Sequence, residues 1–131
     1  MLALQRATHR TLHTLSAALA DLHLSGAEIN ALANLGDGGT LNVRQLSERT
    51  GTRASTLTGL LDRLENRGYV SRELDPADRR SFRLPLTEAG QAVAGRVRAA
   101  VADLERDATA RLSETQIAGF HAVVAALQTA S

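Results

Sequence analysis

Leucines recur with a helical beat along the first stretch of the chain. Leu12, Leu15, Leu19 and Leu22 are spaced 3, 4 and 3 residues apart with no Gly or Pro between them, so one amphipathic helix is predicted from Leu2 to Leu22. Ser25-Gly-Ala-Glu28 has the Ser-x-x-Glu form in which a hydroxyl and a carboxylate satisfy the free amides of a helix start. A second helix is therefore predicted from Gly26 to Leu35, with Ile29, Leu32 and Leu35 inward, and Gly36-Asp-Gly-Gly-Thr40 ends it. Asn42 with Gln45 repeats the capping signal for a third helix through Arg49, which turns Val43 and Leu46 to the core. Gly51 then suits the left-handed residue after its last turn. A fourth helix, Ala54 to Asn66, carries Leu57, Leu60, Leu61 and Leu64 on one face and is closed by Gly68.

After Gly68 the pattern becomes extended. Runs from Tyr69 to Leu74 and from Ser81 to Leu86 flank a polar turn in which Asp75-Pro76 starts the reversal and Arg79 and Arg80 form the tip. Pro85 has no amide to donate, which implies an open edge on the second strand. Thr87 can cap a long helix from Glu88 to about Ala110, with Val93, Val97, Val101 and Leu104 spaced 4, 4 and 3. Ser113-Glu-Thr-Gln116 opens a last helix with Ile117, Phe120, Val124 and Leu127 on one side. The terminal helices have apolar stripes without an evident core of their own. In a chain of 131 residues, the economical solution is to bury them against a second copy, giving a two-fold dimer.

Composition supports a mainly helical fold. Tyr69, Phe82 and Phe120 are the aromatic residues, and the apolar content is mostly Leu, Ala and Val. The absence of cysteine excludes disulfides, thiolate metal sites and thiol redox switches. No run approaches the roughly 20 apolar residues of a membrane span, and the N-terminus lacks a signal-peptide pattern, so a cytoplasmic protein without a membrane partner is expected. Net charge is only +1, yet Asn42 to Leu86 holds nine Arg against six acids, leaving six Arg and eight acids elsewhere. That asymmetry gives a basic middle between acidic ends. All fifteen basic residues are Arg, a bias attributed more to GC-rich coding than to chemistry.

Two short helices separated by Gly51 form the pattern of a helix-turn-helix, whose second member enters the major groove. The face of that helix opposite its leucines carries Ser55, Thr56, Thr58, Gly59, Asp62 and Arg63. Small hydroxyls near a helix start reach base edges and phosphates, and two guanidinium groups on a hairpin tip suit phosphate or a narrow minor groove. Asp62, Arg63, Glu65 and Arg67 also fit ordinary ion pairs along the helix, and Asp78 could simply pair with Arg79 or Arg80 in a solvated turn. His9 and His13, four apart, share a helix face and could offer two nitrogens to zinc. No second pair completes such a site, so no metal and no cofactor is expected. Interface histidines or contact with a small ligand remain open for the pair. No nucleophile with a base, paired carboxylates or phosphate loop is recognisable: Gly36-Asp-Gly-Gly39 lacks the following Lys and Ser/Thr. The chain is not read as an enzyme.

Asp75-Pro-Ala-Asp-Arg-Arg80 followed by Leu84-Pro-Leu-Thr-Glu-Ala-Gly90, with Ser55-Thr-Leu-Thr58, Leu61-Asp-Arg-Leu-Glu65 and Gly68, resembles the wing, fifth-helix start and recognition helix of the MarR family of bacterial winged-helix transcription regulators. The resemblance spans nearly the whole chain. It implies a mainly α, six-helix fold with a small β-hairpin wing, assembled as an intertwined homodimer. One MarR-type domain would span residues 1–131, with a winged helix-turn-helix lobe at 26–86 and dimerisation helices at 1–24 and 88–131. The implied function is a ligand-responsive repressor that binds a palindromic operator in double-stranded DNA. The alternative is a winged-helix interaction module or antirepressor that does not bind DNA. By the same resemblance, Arg80 is the wing arginine that enters the minor groove, Asp78 orients it, and Arg79 contacts or faces the backbone. Ser55, Thr56 and Thr58 fall where bases and phosphates are met, while Asn42, Arg44 and Arg53 lie near the phosphate backbone. Gly59 departs from the pattern, standing where many relatives carry a long side chain. Small aromatic or phenolic effectors are implied between the dimerisation helices and the DNA lobe.

Overall fold

The structure, a computed structural model, describes residues 2–37 and 39–130. Its helices are α1 (Leu2–Ala18), α2 (Gly26–Leu35), α3 (Val43–Thr50), α4 (Ala54–Asn66), α5 (Glu88–Thr109) and α6 (Glu114–Thr129), with strands β1 (Glu73–Leu74) and β2 (Phe82–Arg83) between α4 and α5. The chain divides into two compact units, Met1–Val101 and Ala102–Ser131.

In the first unit, local chemistry sets most helix starts. Ser25 and Glu28 exchange bonds at the start of α2, and Asn42 and Gln45 do the same for α3. Gly51 ends α3 at φ 68° and Gly68 follows α4 at φ 78°, where a side chain would strain the backbone. The core is largely aliphatic: Ile29, Leu32, Leu46, Leu57, Leu60, Leu64, Leu84 and Val97 are fully buried. Each such side chain stabilises the fold by about 1.5–3 kcal/mol. Val43, expected in the core, is only half-buried. Gly38, in the turn expected after α2, lies outside the described residues.

Three expectations are corrected. The first helix does not continue to Leu22: it ends at Ala18 and passes through a 3-10 turn, Ala20–Leu22, to His23 at φ 51°. The turn that follows is held by a distant partner: the Arg67 guanidinium donates to the carbonyls of both Leu22 and His23, groups that the helix end leaves without intrahelical partners. The hairpin strands are also shorter than expected. They pair as Glu73 with Arg83 and Leu74 with Phe82, and beyond these only an isolated bridge joins Val70 to Leu86. Pro85 accepts from the Ser71 amide at 3.1 Å but cannot return the bond, while the Leu84 amide turns the other way, to Leu41 at 2.9 Å. The edge opposite β1 is therefore occupied by residues 41–42, which also bridge Arg83, rather than left open.

The second unit contains the end of α5 and all of α6, which starts on a Ser113–Gln116 capping box. No residue of α6 is buried; Phe120 and Val123 are each 57% exposed, and Ile117, Val124 and Leu127 are half-buried.

Candidate nucleic-acid interface

The residues expected at the interface come from three consecutive elements. On α4 the leucine face is sealed into the core, and the 3.6-residue period forces Ser55, Thr56, Thr58 and Arg63 outward, where all four are exposed. The Thr58 hydroxyl donates back to the Ala54 carbonyl at 3.0 Å, which leaves its oxygen as an acceptor. Arg53 is the residue before α4 and makes no capping bond with its side chain. The first-turn amides of α4 are thus uncapped by a side chain and suited to an anionic oxygen. Arg44, on α3, is exposed as well.

At Gly59 this face lacks a side chain. A β-carbon there would meet a guanidinium nitrogen of Arg63 at 3.7 Å, so the arginine one turn on lies over the position where relatives were expected to carry a long side chain.

At the wing tip Arg79 and Arg80 are exposed and neither pairs with a carboxylate among the described residues. Asp78 does not neutralise them. Its carboxylate accepts from the Arg80 main-chain amide at 3.0 Å, closing a short turn that fixes the backbone and leaves the guanidinium group free. The solvated-turn reading, in which Asp78 pairs with an arginine side chain, does not describe this tip.

The ion pairs expected along α4 are also different. Arg72, just before β1, takes both Asp62 and Glu65, the latter at 3.0 Å. One guanidinium thereby offsets half of the negative charge with which these two carboxylates would repel a phosphate chain. Arg67 leaves the helix face altogether, reaching Leu22, His23 and, at 3.8 Å, Glu28. Between α3, α4 and the wing runs a groove of about 560 Å³, walled by Arg44, Thr58, Arg72, Arg80 and Phe82.

Asn42 is placed otherwise than expected. It is 7% exposed; its carbonyl oxygen caps α3 and its amide donates to Asp75 at 3.3 Å. Both ends of the side chain are used inside the lobe, which sets it behind the surface. Asp75, which the sequence marks only as a turn starter, is itself 8% exposed. The Ala77 amide, opposed by desolvation, and then the Asn42 amide hold its pKa below the ordinary aspartate value.

His9 and His13 are exposed on α1, beside Arg10 and Thr14 around a shallow depression of about 390 Å³. Among the described residues no three His, Asp or Glu side chains group as a metal ion would require, and no helix is long and apolar enough to cross a membrane.

The MarR family model matches residues 22–81, from the end of the first helical segment through the wing. Over that stretch the chain is similar to the MarR family. Over 67 residues it is 43% identical to YfiV of Bacillus subtilis (strain 168), an uncharacterized HTH-type transcriptional regulator, across 51% of this chain and 42% of that protein. The chain thus spans less than half the length of this curated relative. Among solved structures it is similar to CouR from Rhodococcus jostii RHA1 bound to p-coumaroyl-CoA, with a TM-score of 0.86, 25% identity, and 98% and 91% of the two chains covered. BpsR of Bordetella bronchiseptica, whose DNA binding is regulated by 6-hydroxynicotinic acid, shares the fold with a TM-score of 0.81 at 22% identity, covering 98% and 92%. The winged helix-turn-helix of the MarR family is therefore the frame that carries the arginines and hydroxyls described above.

Proposed function

We propose that this chain is a MarR family regulator, a sequence-specific, double-stranded DNA-binding repressor that acts as a homodimer on a palindromic operator. The observation that carries the reading is the pair of uncompensated arginines at the wing tip, Arg79 and Arg80, on the same lobe as an exposed hydroxyl face of α4. In this reading α4 lies in a major groove and Ser55, Thr56 and Thr58 meet bases and phosphates. Arg80 enters the flanking minor groove, while Arg44, Arg53, Arg63 and Arg79 meet the backbone.

One domain covers the chain in this proposal, with residues 26–86 as the DNA lobe and residues 1–24 and 88–131 as dimerisation helices. The lack of any buried residue in α6 supports a second copy as its cover. Half-sites would then be centred roughly 34 Å apart. The ligands of CouR and BpsR support a small aromatic effector for this chain, with His9 and His13 as candidate contacts. Such a molecule shifts the equilibrium only if it binds the DNA-competent and incompetent states with different affinity.

Selection from a random duplex pool, followed by hydroxyl-radical footprinting, tests the reading. A two-fold symmetric site with protected minor grooves on its flanks is expected; recovery of no enriched sequence would refute specific recognition. Adding aromatic carboxylates to the same complex tests the effector arm, with release of the duplex as the expected effect.

A further inference from the structure

We infer that Asn42 and Asp75 form a latch between α3 and the wing, and that both are positioning residues for Arg80. The inference rests on the DNA-binding reading for its consequence, but the latch itself is a matter of protein structure.

The wing needs such a stay. Its ladder is two residue pairs long, and Pro85 removes the donor that would have continued it, so the hairpin has little stiffness of its own. The base is held from the side by the Leu84 amide on the Leu41 carbonyl, at 2.9 Å. Toward the tip, the lateral side-chain tie is Asn42 to Asp75. From there the bonds run without interruption to the arginine. The Asp75 carboxylate accepts from the Ala77 amide at 3.0 Å, and its main-chain carbonyl accepts from the Asp78 amide at 3.2 Å. The Asp78 carboxylate then accepts from the Arg80 amide at 3.0 Å, and the Asp78 carbonyl from the Ser81 amide at 2.9 Å.

Asn42 is rigid at the other end. Its carbonyl oxygen takes the Gln45 amide at 2.8 Å, and its own amide donates to the Gln45 side chain at 2.9 Å. The first helix of the helix-turn-helix and the wing tip therefore share one side chain. Among the described residues Asp75 has no ion-pair partner within 4.0 Å, although Arg83 lies near enough to favour its charge. A carboxylate this buried is tolerated because its hydrogen bonds are made, and those bonds are the latch.

The full-length chain carrying Asn42→Asp separates latch from cap. Aspartate caps a helix as well as asparagine does, so α3 keeps its start, but a second carboxylate now faces Asp75 where a donor stood. Asp75→Ala is the companion variant. Amide hydrogen exchange in the free protein reads the latch directly. Exchange at Ala77, Asp78 and Arg80 is expected to quicken about tenfold or more in both variants while Leu60, Leu61 and Leu64 keep their protection. Unchanged exchange at the tip would overturn the latch, as would an equal loss of protection throughout α4.

Affinity for the duplex selected by the wild type reads the consequence. Each variant is expected to bind about tenfold more weakly, yet to change affinity less than twofold in an Arg80→Ala background, whereas Ser55→Ala keeps its full effect there. Equal losses in both backgrounds would overturn the positioning role. A wild type that selects no duplex would refute the DNA-binding reading and leave the exchange result to decide the latch.

Discussion

The Tyr69 carbonyl lies against Gly90 so closely that a β-carbon on the glycine would stand 2.8 Å from the carbonyl carbon and closer still to the oxygen. The contact is made by the first turn of α5. The Thr87 amide donates to that carbonyl at 3.0 Å, and the Thr87 hydroxyl accepts from the Gly90 amide at 3.0 Å. Backbone rather than a flexible side chain would have to move, so Gly90→Ala is expected to destabilise the fold by at least about 2 kcal/mol. Urea unfolding checks this, and an unchanged midpoint would contradict the close approach.

Gly59 calls for the opposite result. The nearest atom to a β-carbon there is at ordinary contact distance and belongs to the end of the long Arg63 side chain. Gly59→Ala should therefore recover helix propensity and stabilise the fold by about 0.5–1 kcal/mol. A melting temperature at or below that of the wild type would show that the glycine is needed for packing not evident on this face.

Arg67 joins the end of α4 to the turn after α1 through two carbonyls, with its guanidinium carbon 5.1 Å from the centre of the Tyr69 ring. Arg67→Ala is expected to cost about 1–3 kcal/mol, and Arg67→Lys to restore only part of it, because an ammonium group lacks the planar fork. Full rescue by lysine would reduce the clamp to simple charge.

Asp21 and Arg96 form a two-bond pair at 2.6 and 3.0 Å. The bond from Arg96 holds the Asp21 pKa below the ordinary aspartate value. A folded pKa below the unfolded one stabilises the fold above the unfolded value, about 4, and that contribution is lost as pH falls through the folded value. The wild type should therefore exceed Asp21→Asn in stability near neutrality, with the gap closing in acid. A pH-independent gap would contradict the linkage.

Much of the frame was legible because its signals are local. The capping pairs at Ser25 and Glu28, Asn42 and Gln45, and Ser113 and Gln116 lie three residues apart, and each is realised. The outward placement of Ser55, Thr56 and Thr58 followed from the leucine period of α4. What escaped was decided at a distance. The turn that replaces the end of the helix expected to Leu22 is held by Arg67, 45 residues later. Asn42 turns inward because its acceptor, Asp75, is 33 residues away. Asp62 and Glu65 pair with Arg72 rather than along their helix because the wing folds back past α4. No spacing rule within one element reveals such partners, although an aspartate before a proline in Asp75-Pro76 marks a carboxylate able to accept from its own turn.

The central claim is that a free Arg80 guanidinium reads DNA from the wing. Its most direct test is the affinity of wild type and Arg80→Ala for the selected duplex over a series of salt concentrations. The expected result is a loss of roughly 1–3 kcal/mol on substitution, a salt slope that declines by about one, and little change in weak binding to unrelated duplex. Equal affinities and equal slopes at matched salt would contradict the account.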